Sequence, residues 1–176
     1  MIINKSWLYE TDCQLFYLIN KHHRLMLPMQ YITHLGSAPL TIISLLSLLL
    51  LTSGDMFTAS IAAMAALITS HLFVRGIKHR TPRYRPYVSL KESHVVKKPL
   101  KDHSFPSGHT TAAIAACTPF MLMFPAYSIF FLITSFLVGI SRISLGLHYP
   151  SDVMAGWGLG FVSGVLFYAA VVALMS

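Results

Sequence analysis

The sequence predicts an all-α fold, a polytopic membrane helical bundle of about five transmembrane helices with N-terminal interfacial helices. Composition is the first reason: 55% of the 176 residues are hydrophobic and only 11% are charged, whereas soluble domains carry about 25% charged residues. The second reason is that long apolar runs recur between short polar or proline-containing breaks. By its length the chain forms one domain, expected to comprise residues 1–176.

The N-terminal segment, residues 1–35, is expected to lie on the membrane surface as one or two helices. Asn20 to Arg24 are polar and interrupt its apolar residues, so no stretch of about 20 apolar residues is available to span a bilayer. Aromatic residues such as Trp7 and Tyr31 suit the membrane–water interface. The segment lacks the apolar region and cleavage site of a signal peptide, so we expect none.

Five apolar runs follow and are expected to be the transmembrane helices. The first is short for a bilayer, so we expect it either to extend back towards Ile32 or to lie in a thinned patch of the bilayer. A polar loop, residues 77–106, separates the second run from the third, and its prolines predict irregular structure. The five runs are Pro39–Thr52, Met56–Gly76, Ser107–Phe124, Ala126–Leu147 and Pro150–Ser176.

The charged residues are divided unevenly between the two membrane faces. If residues 1–35 stay on one face, the loop 77–106 and the junction 141–152 fall on that face, together with every Lys and Arg. Asp55 is the only charge expected on the other face. The net charge of +7 therefore indicates one functional membrane face, and we expect no nucleic-acid partner. Cys13 and Cys117 have no metal-binding spacing and predict no disulfide.

Three polar clusters are expected to meet on this face. The first, residues 78–86, lies where the second span leaves the membrane. The second, residues 101–109, ends at a helix entrance, where unpaired backbone N–H groups favour anions and Gly108 allows them to approach. The third, residues 141–152, places Arg, His and Asp between two apolar spans, which is costly unless these groups are paired.

These clusters contain the residue types that phosphoryl transfer needs without a metal. His148 and Asp152 are four residues apart, so the carboxylate can orient the imidazole. His109 supplies a second titratable group from another helix. Together they offer a nucleophile, an acid for the leaving oxygen and charge stabilisation. The fixed positive charges are Lys78, Arg85 and Arg142.

The three clusters resemble the signature of the type 2 phosphatidic acid phosphatase family of membrane lipid phosphatases. That signature consists of three motifs in order. The first is Lys followed, after six residues of any type, by Arg-Pro, and the second is Pro-Ser-Gly-His. The third is Ser-Arg followed, after five residues of any type, by His and, after three more, by Asp. Three concordant motifs are far more specific than any one of them. The matching residues are Lys78, Arg85-Pro86, Pro106 to His109, Ser141-Arg142, His148 and Asp152.

The resemblance implies a role for each of these residues. His148 would attack phosphorus and form a phosphohistidine, Asp152 would orient it, and His109 would protonate the leaving group. The substrate would be a lipid phosphate in the bilayer: undecaprenyl pyrophosphate, phosphatidylglycerophosphate or phosphatidate. No metal or cofactor is implied, and the sequence does not specify an oligomeric state. The residues implied to hold the phosphate are Lys78, Arg85, Ser107, Gly108 and Arg142.

Small residues predict that the last three spans pack closely beneath the site. They recur on one face of each span, and small side chains let helices approach closely in lipid. The three faces are His109, Ala113 and Ala116; Ser135, Gly139 and Arg142; and Asp152, Gly156, Gly160 and Gly164.

Other interpretations of the polar residues stay open. The basic face could belong to a non-catalytic protein that binds anionic lipids. A vanadate-dependent oxidase would use a similar pocket, but the vanadium haloperoxidases are soluble, and the apolar spans argue against this class. A zinc site of His103, His109 and His148 would lack a thiolate or second carboxylate. The residues that could bind a second phosphate, or lie on a solvated surface, are Arg80, Arg83 and Lys91.

Two arguments disagree about which side of the membrane carries the site. The excess of Lys and Arg on that face predicts a cytoplasmic location. The resemblance implies the outer side, as in most bacterial members of the family. We expect a multi-pass protein of the bacterial cytoplasmic (inner) membrane whose catalytic face is extracytoplasmic.

Overall fold

The computed structural model describes residues 7–95, 100 and 102–175, and these form helices and connecting loops without a β-strand. The predicted all-α class is therefore confirmed. Lys5, Lys97, Lys98 and Lys101, which contribute to the predicted charge asymmetry, lie outside the described residues. The α-helices are α1 (Trp7–Asn20), α2 (Met26–Ile32), α3 (Ala38–Leu51), α4 (Gly54–Arg80), α5 (Pro86–Ser89), α6 (Gly108–Met123), α7 (Ser128–Ser144) and α8 (Pro150–Met175).

α6 lies at the centre of the bundle and packs against α4, α7 and α8. The predicted glycine face of α8 makes the contact with α6. A Cβ atom added at Gly156 would lie 2.8 Å from the Ser107 carbonyl oxygen, and one added at Gly160 would lie 2.5 Å from that of Thr111. The close approach of these helices, predicted from small residues, is thus confirmed, because the backbones leave no room for a side chain.

Among the described residues, three helical segments are long and apolar enough to cross a membrane: Gly54–Arg80, Pro125–Ser144 and Pro150–Met175. A fourth span results if Met26–Gly36 and Ala38–Leu51, which meet at a bend of 47°, are counted as one. This differs from the five expected spans. The expected third span forms α6, whose 16 residues cover only about 24 Å.

The first helix of the N-terminal segment contacts the bundle. α1 packs against α7 and α8, and it buries Asp12, Phe16 and Asn20, which follow one another at four-residue intervals. The Asn20 side chain donates hydrogen bonds of 2.9 Å to the His94 and Ser144 carbonyl oxygens. α1 therefore covers the junction between α7 and α8.

The loop expected at residues 77–106 begins four residues later than predicted, because α4 continues through Gly76 to Arg80. The basic residues of this last turn suit the negative end of the helix dipole. The peptide bond between Phe105 and Pro106 is cis. The loop then meets the α8 entrance, where the Ser107 backbone N–H donates to the Asp152 carbonyl oxygen.

Candidate active site

One cavity of about 670 Å³ collects residues from all three predicted clusters. α4 supplies its last three turns, the following loop supplies Arg85 and Asp102, α6 supplies its first turn, and the α7–α8 junction supplies His148. Four of the other lining residues are basic or imidazole side chains to which the resemblance assigns no role: His71, Arg75, His79 and His103.

His148 is buried at the base of this cavity. Its Nε2 atom lies 3.0 Å from Arg85 Nη1. Because a guanidinium can only donate hydrogen bonds, Nε2 must be the acceptor, and the ring proton lies on Nδ1. Burial lowers the pKa of His148 to about 3, Arg85 and Arg142 add to the shift, and Asp152 opposes it. The imidazole is therefore neutral at pH 7, with the Nε2 lone pair available.

Asp152 lies behind His148, on the side of Nδ1. Its Oδ2 atom is 3.6 Å from Nδ1, which is too long for a hydrogen bond but close enough to stabilise a positive charge that forms on the ring. The same oxygen accepts hydrogen bonds from the Ser104 hydroxyl and, at 2.8 Å, from the Tyr149 backbone N–H. Because these neighbours constrain it, the carboxylate can fix the imidazole orientation.

Arg83 forms part of the support of Asp152, which corrects the expectation that it binds a second phosphate or lies on a solvated surface. Its Nη1 atom donates to Asp152 Oδ1 and its Nη2 atom to Asp12 Oδ2, both at 2.6 Å. The guanidinium carbon lies 4.1 Å from the centre of the Tyr149 ring. The contacts with two carboxylates account for its inward position.

Arg85 is fully engaged by its neighbours. Its five N–H groups donate to the Asp102, Leu147 and His103 carbonyl oxygens, to the Asp102 carboxylate and to His148. Lys78 binds the other Asp102 oxygen at 2.5 Å. Partial burial alone would raise the pKa of Asp102, but Lys78 and Arg85 outweigh it and lower the pKa to about 2. Asp102 thus provides a negative charge between two cations expected to hold phosphate.

Arg142 differs from Arg85 because most of its donors are free. The side chain is only 3% exposed. Its Nη1 atom donates to the Thr33 hydroxyl at 2.7 Å, whereas Nε and Nη2 have no hydrogen-bond partner among the described residues. Its charge acts on both His109 and His148. A buried guanidinium with unpaired donors is costly, and an anion would satisfy it.

At the predicted helix entrance, two residues line the cavity and a third has a supporting role. Gly108 and His109 begin α6 and line the cavity. Ser107 is fully buried at the N-cap position, where its hydroxyl pairs with that of Thr110 at 2.8 Å. Since its N–H also binds Asp152, Ser107 supports the entrance from behind.

The structure therefore brings the predicted residues together and adds several that the sequence analysis missed. Lys78, Arg85, Gly108, His109 and His148 line the cavity, while Ser107, Arg142 and Asp152 adjoin them. No three His, Cys, Asp or Glu side chains within residues 7–95, 100 and 102–175 are arranged to share a metal ion. The residues to which the sequence assigned no role are Asp12, Thr33, Asp102 and Ser104. Asp102 and Ser104 lie within the second polar cluster, and Asp12 has a local signal in its four-residue spacing from Phe16 and Asn20.

Proteins of known function resemble parts of this chain. It is 46% identical over 57 residues to the lipid A 1-phosphatase of Rhizobium etli, a match that covers 32% of this chain and 25% of that protein. It is 32% identical over 110 residues to the undecaprenyl-diphosphatase BcrC of Bacillus subtilis, covering 62% of this chain and 54% of the relative. The matches thus span between about a quarter and about half of these relatives.

A solved structure and a family model extend the comparison. The crystal structure of LpxE from Aquifex aeolicus superposes with a TM-score of 0.81 at 25% identity, over 96% of this chain and 99% of that one. The model of the PAP2 superfamily matches residues 59–176, which contain all three motifs and more than half of the sequence. The chain therefore belongs to the PAP2 superfamily.

Proposed function

We propose that this protein is an integral membrane phosphatase that removes the terminal phosphate from a lipid mono- or diphosphate. The observation that carries the proposal is the pairing of a neutral, buried His148 with the unpaired donors of buried Arg142 in one site. The first offers a nucleophilic lone pair and the second a place for anionic oxygens. The three motifs and the membership of the PAP2 superfamily support the same activity.

The first chemical step transfers the phosphoryl group to His148. Burial and nearby positive charges lower the pKa of His109 in the free protein, and a bound phosphate anion stabilises its protonated form. The Nε2 lone pair of His148 attacks phosphorus, the bond from phosphorus to the lipid oxygen breaks, and protonated His109 gives its proton to that oxygen. Arg85 moves its Nη1 donor from Nε2 to the phosphate. The phosphorylated ring keeps its Nδ1 proton and becomes positively charged, and Asp152 balances that charge. Lys78, Arg142 and the Gly108 backbone stabilise the phosphate oxygens.

The second step restores the enzyme. Water attacks phosphorus, His109 takes a proton from that water, and the bond between Nε2 and phosphorus breaks. Inorganic phosphate leaves, His148 is neutral again and His109 is protonated for the next cycle. The proposed mechanism requires no metal because the proton and the positive charges come from side chains. Phosphate release should therefore persist in excess chelator.

The substrate's tails are proposed to remain in the bilayer while its phosphate enters the cavity. Apolar helices surround the site, and the relatives named above are a lipid A 1-phosphatase and an undecaprenyl-diphosphatase. Undecaprenyl pyrophosphate, phosphatidylglycerophosphate and phosphatidate are the candidate substrates. The protein is proposed to lie in the bacterial cytoplasmic membrane, with its site on the outer side and residues 1–176 acting as one domain.

The test is phosphate release from a panel of purified lipid monophosphates and diphosphates in detergent. His148→Ala should abolish release, because the variant has no nucleophile. His22→Ala is the matched control, since it removes an exposed histidine from outside the cavity, and it should behave as wild type. Full activity of His148→Ala on every substrate that the wild type cleaves would contradict the mechanism. A wild type that binds anionic lipids and cleaves none would favour the non-catalytic alternative.

A further inference from the structure

Asp12 is a buried acidic residue on α1, outside residues 59–176 that the family model matches. It is 6% exposed. Oδ1 accepts a hydrogen bond of 2.9 Å from the Ser151 backbone N–H, and Oδ2 accepts one of 2.5 Å from the Ser151 hydroxyl. Ser151 lies in the first turn of α8, where backbone N–H groups lack partners within the helix. Asp12 therefore satisfies the entrance of α8 from another helix.

The same carboxylate holds Arg83. Asp12 Oδ2 binds one terminal nitrogen of Arg83, and Asp152 Oδ1 binds the other, both at 2.6 Å. Nη1 of Arg83 also donates to the Ser151 hydroxyl at 2.8 Å. Asp12, Arg83 and Ser151 thus form a closed set of charge-assisted hydrogen bonds around Asp152. Such bonds are shorter and stronger than neutral ones.

The consequence concerns the orientation of Asp152. Without the Asp12 charge, Arg83 would keep a single carboxylate partner and gain freedom to move. An asparagine at this position has one acceptor oxygen, so it could not bind both the Ser151 N–H and Arg83 as the two carboxylate oxygens do. Both changes act on Asp152, because Asp152 accepts a hydrogen bond from Arg83 and is the next residue after Ser151 in the chain. Asp152 in turn faces His148 Nδ1.

We propose that Asp12 is a positioning residue: through Arg83 and Ser151 it holds Asp152 in the orientation that His148 requires. This inference rests on the proposed phosphatase function. Asp12 and Arg83 are absent from the described residues that line the catalytic cavity. Loss of Asp12 should consequently slow the chemical step without weakening phosphate binding, so kcat falls while KM stays nearly constant.

The experiment combines Asp12→Asn with Arg83→Gln in a double-mutant cycle on the full chain in detergent. Asp12→Asn keeps the size of the side chain and removes its charge. We expect kcat to fall about tenfold, by analogy with the residues that orient metal ligands from behind, with KM within about twofold of wild type. If Asp12 acts through Arg83, the double variant should be no slower than Arg83→Gln alone. Asp12→Glu, which restores the charge, should recover most of kcat.

The matched control is Glu10→Gln, which removes an exposed acidic group from the same helix and should leave kcat unchanged. A role confined to fastening α1 would instead give a lower unfolding temperature with kcat per folded molecule preserved. That result would overturn the proposal. So would losses in kcat that simply multiply in the double variant.

Two further outcomes are decisive. If Asp12→Asn does not fold, Ser151→Ala takes its place in the cycle, because it removes one hydroxyl contact and leaves the carboxylate. Its smaller loss in kcat, about threefold for a single hydrogen bond, should disappear in the Arg83→Gln background; an equal loss in both backgrounds would overturn the inference. A wild type that releases no phosphate overturns the proposed function and this inference with it, whereas an active wild type with an unaffected Asp12→Asn overturns this inference alone.

Discussion

At the scale of single residues, the two buried arginines of the site have different partners. Arg85 uses all of its donors on protein groups, whereas Arg142 leaves Nε and Nη2 unpaired. An incoming phosphate can therefore bind Arg142 directly, but it must replace protein partners at Arg85. Asp102 is the partner it would most directly replace, because its carboxylate binds both Arg85 and Lys78.

Asp102→Asn should strengthen the binding of inorganic phosphate. The amide keeps the shape of the side chain but no longer competes as an anion for Lys78 and Arg85. We expect the inhibition constant of phosphate to fall by about twofold to fivefold, consistent with a half-exposed ion pair. The measurement is product inhibition of lipid phosphate release, with the exposed Glu92→Gln as control. A weaker affinity in Asp102→Asn would mean that Asp102 organises the cations for phosphate.

The neutrality of His148 predicts how stability depends on pH. Its pKa is about 3 in the folded protein and about 6.5 in an unfolded chain. Between these values the unfolded chain binds the extra proton, so stability should be highest above about pH 6.5 and fall as the pH drops towards 3. His148→Gln lacks this proton site. From pH 7 to pH 4, wild type should therefore lose more thermal stability than the variant; equal losses would contradict a buried neutral imidazole.

At the scale of elements, the contact between α6 and α8 depends on glycine at specific positions. An added Cβ at Gly160 would meet the Thr111 carbonyl oxygen and Ile114, whereas nothing lies within 4 Å of one added at Gly158. Both glycines are on α8 and two residues apart, so they form a matched pair. The difference between them is the proximity of α6.

Gly160→Ala should destabilise the protein by about 1–3 kcal/mol, because the new methyl group forces two helix backbones apart. Gly158→Ala should be neutral or stabilise it by about 0.5–1 kcal/mol, since alanine favours a helix more than glycine does. Thermal unfolding in detergent would measure both. Equal effects of the two substitutions would show that the α6–α8 contact tolerates a side chain at Gly160.

α4 carries a row of basic side chains that extends along the helix from Lys78. His71, Arg75 and Lys78 follow one another at spacings of four and three residues and line the same cavity. Arg75 lies about 4.5 Å along the helix axis from Lys78. It can therefore contact a second phosphate while Lys78 holds the first.

Arg75→Gln should distinguish diphosphate from monophosphate substrates. We expect kcat/KM for a lipid diphosphate to fall about tenfold, the loss of one charged hydrogen bond, with little change for the monophosphate carrying the same chain. Arg24→Gln, which removes an exposed arginine that does not line the cavity, is the control. Equal losses on both substrates would mean that Arg75 acts on the scissile phosphate or on the fold.

At the scale of the whole molecule, α4 connects the two faces of the bundle. Its 27 residues cover about 40 Å, with Asp55 at one end and Lys78 at the other. The location of Asp55 therefore reports which side of the membrane carries the catalytic cavity.

An extracytoplasmic site predicts a protected Asp55. With Cys13 and Cys117 replaced by serine, Asp55→Cys should resist a membrane-impermeant maleimide on intact cells and react after permeabilisation. Lys91→Cys, exposed in the loop on the catalytic face, should react on intact cells. The reverse pattern would place the site in the cytoplasm, as the excess of Lys and Arg predicts.

The amino-acid sequence by itself determined the helical membrane class and the residues of the three motifs. Apolar runs require helices in lipid, because every backbone polar group must be paired within the segment. The small residues of α8 likewise predicted its contact with α6. These properties depend on composition and short-range spacing, which are visible along the chain. The expected five spans differ from the observed helices because α6 stops after 16 residues.

Only the tertiary structure decided which groups pair around the motifs. Asp12 meets Arg83, Thr33 meets Arg142 and Asp102 meets Lys78 across separations of 71, 109 and 24 residues. Local periodicity carries no information about such pairs, since they depend on the path of the whole chain. Local periodicity likewise does not show that His148 carries its proton on Nδ1. That assignment follows from the contact with Arg85, which forms because the loop after α4 folds over the α7–α8 junction.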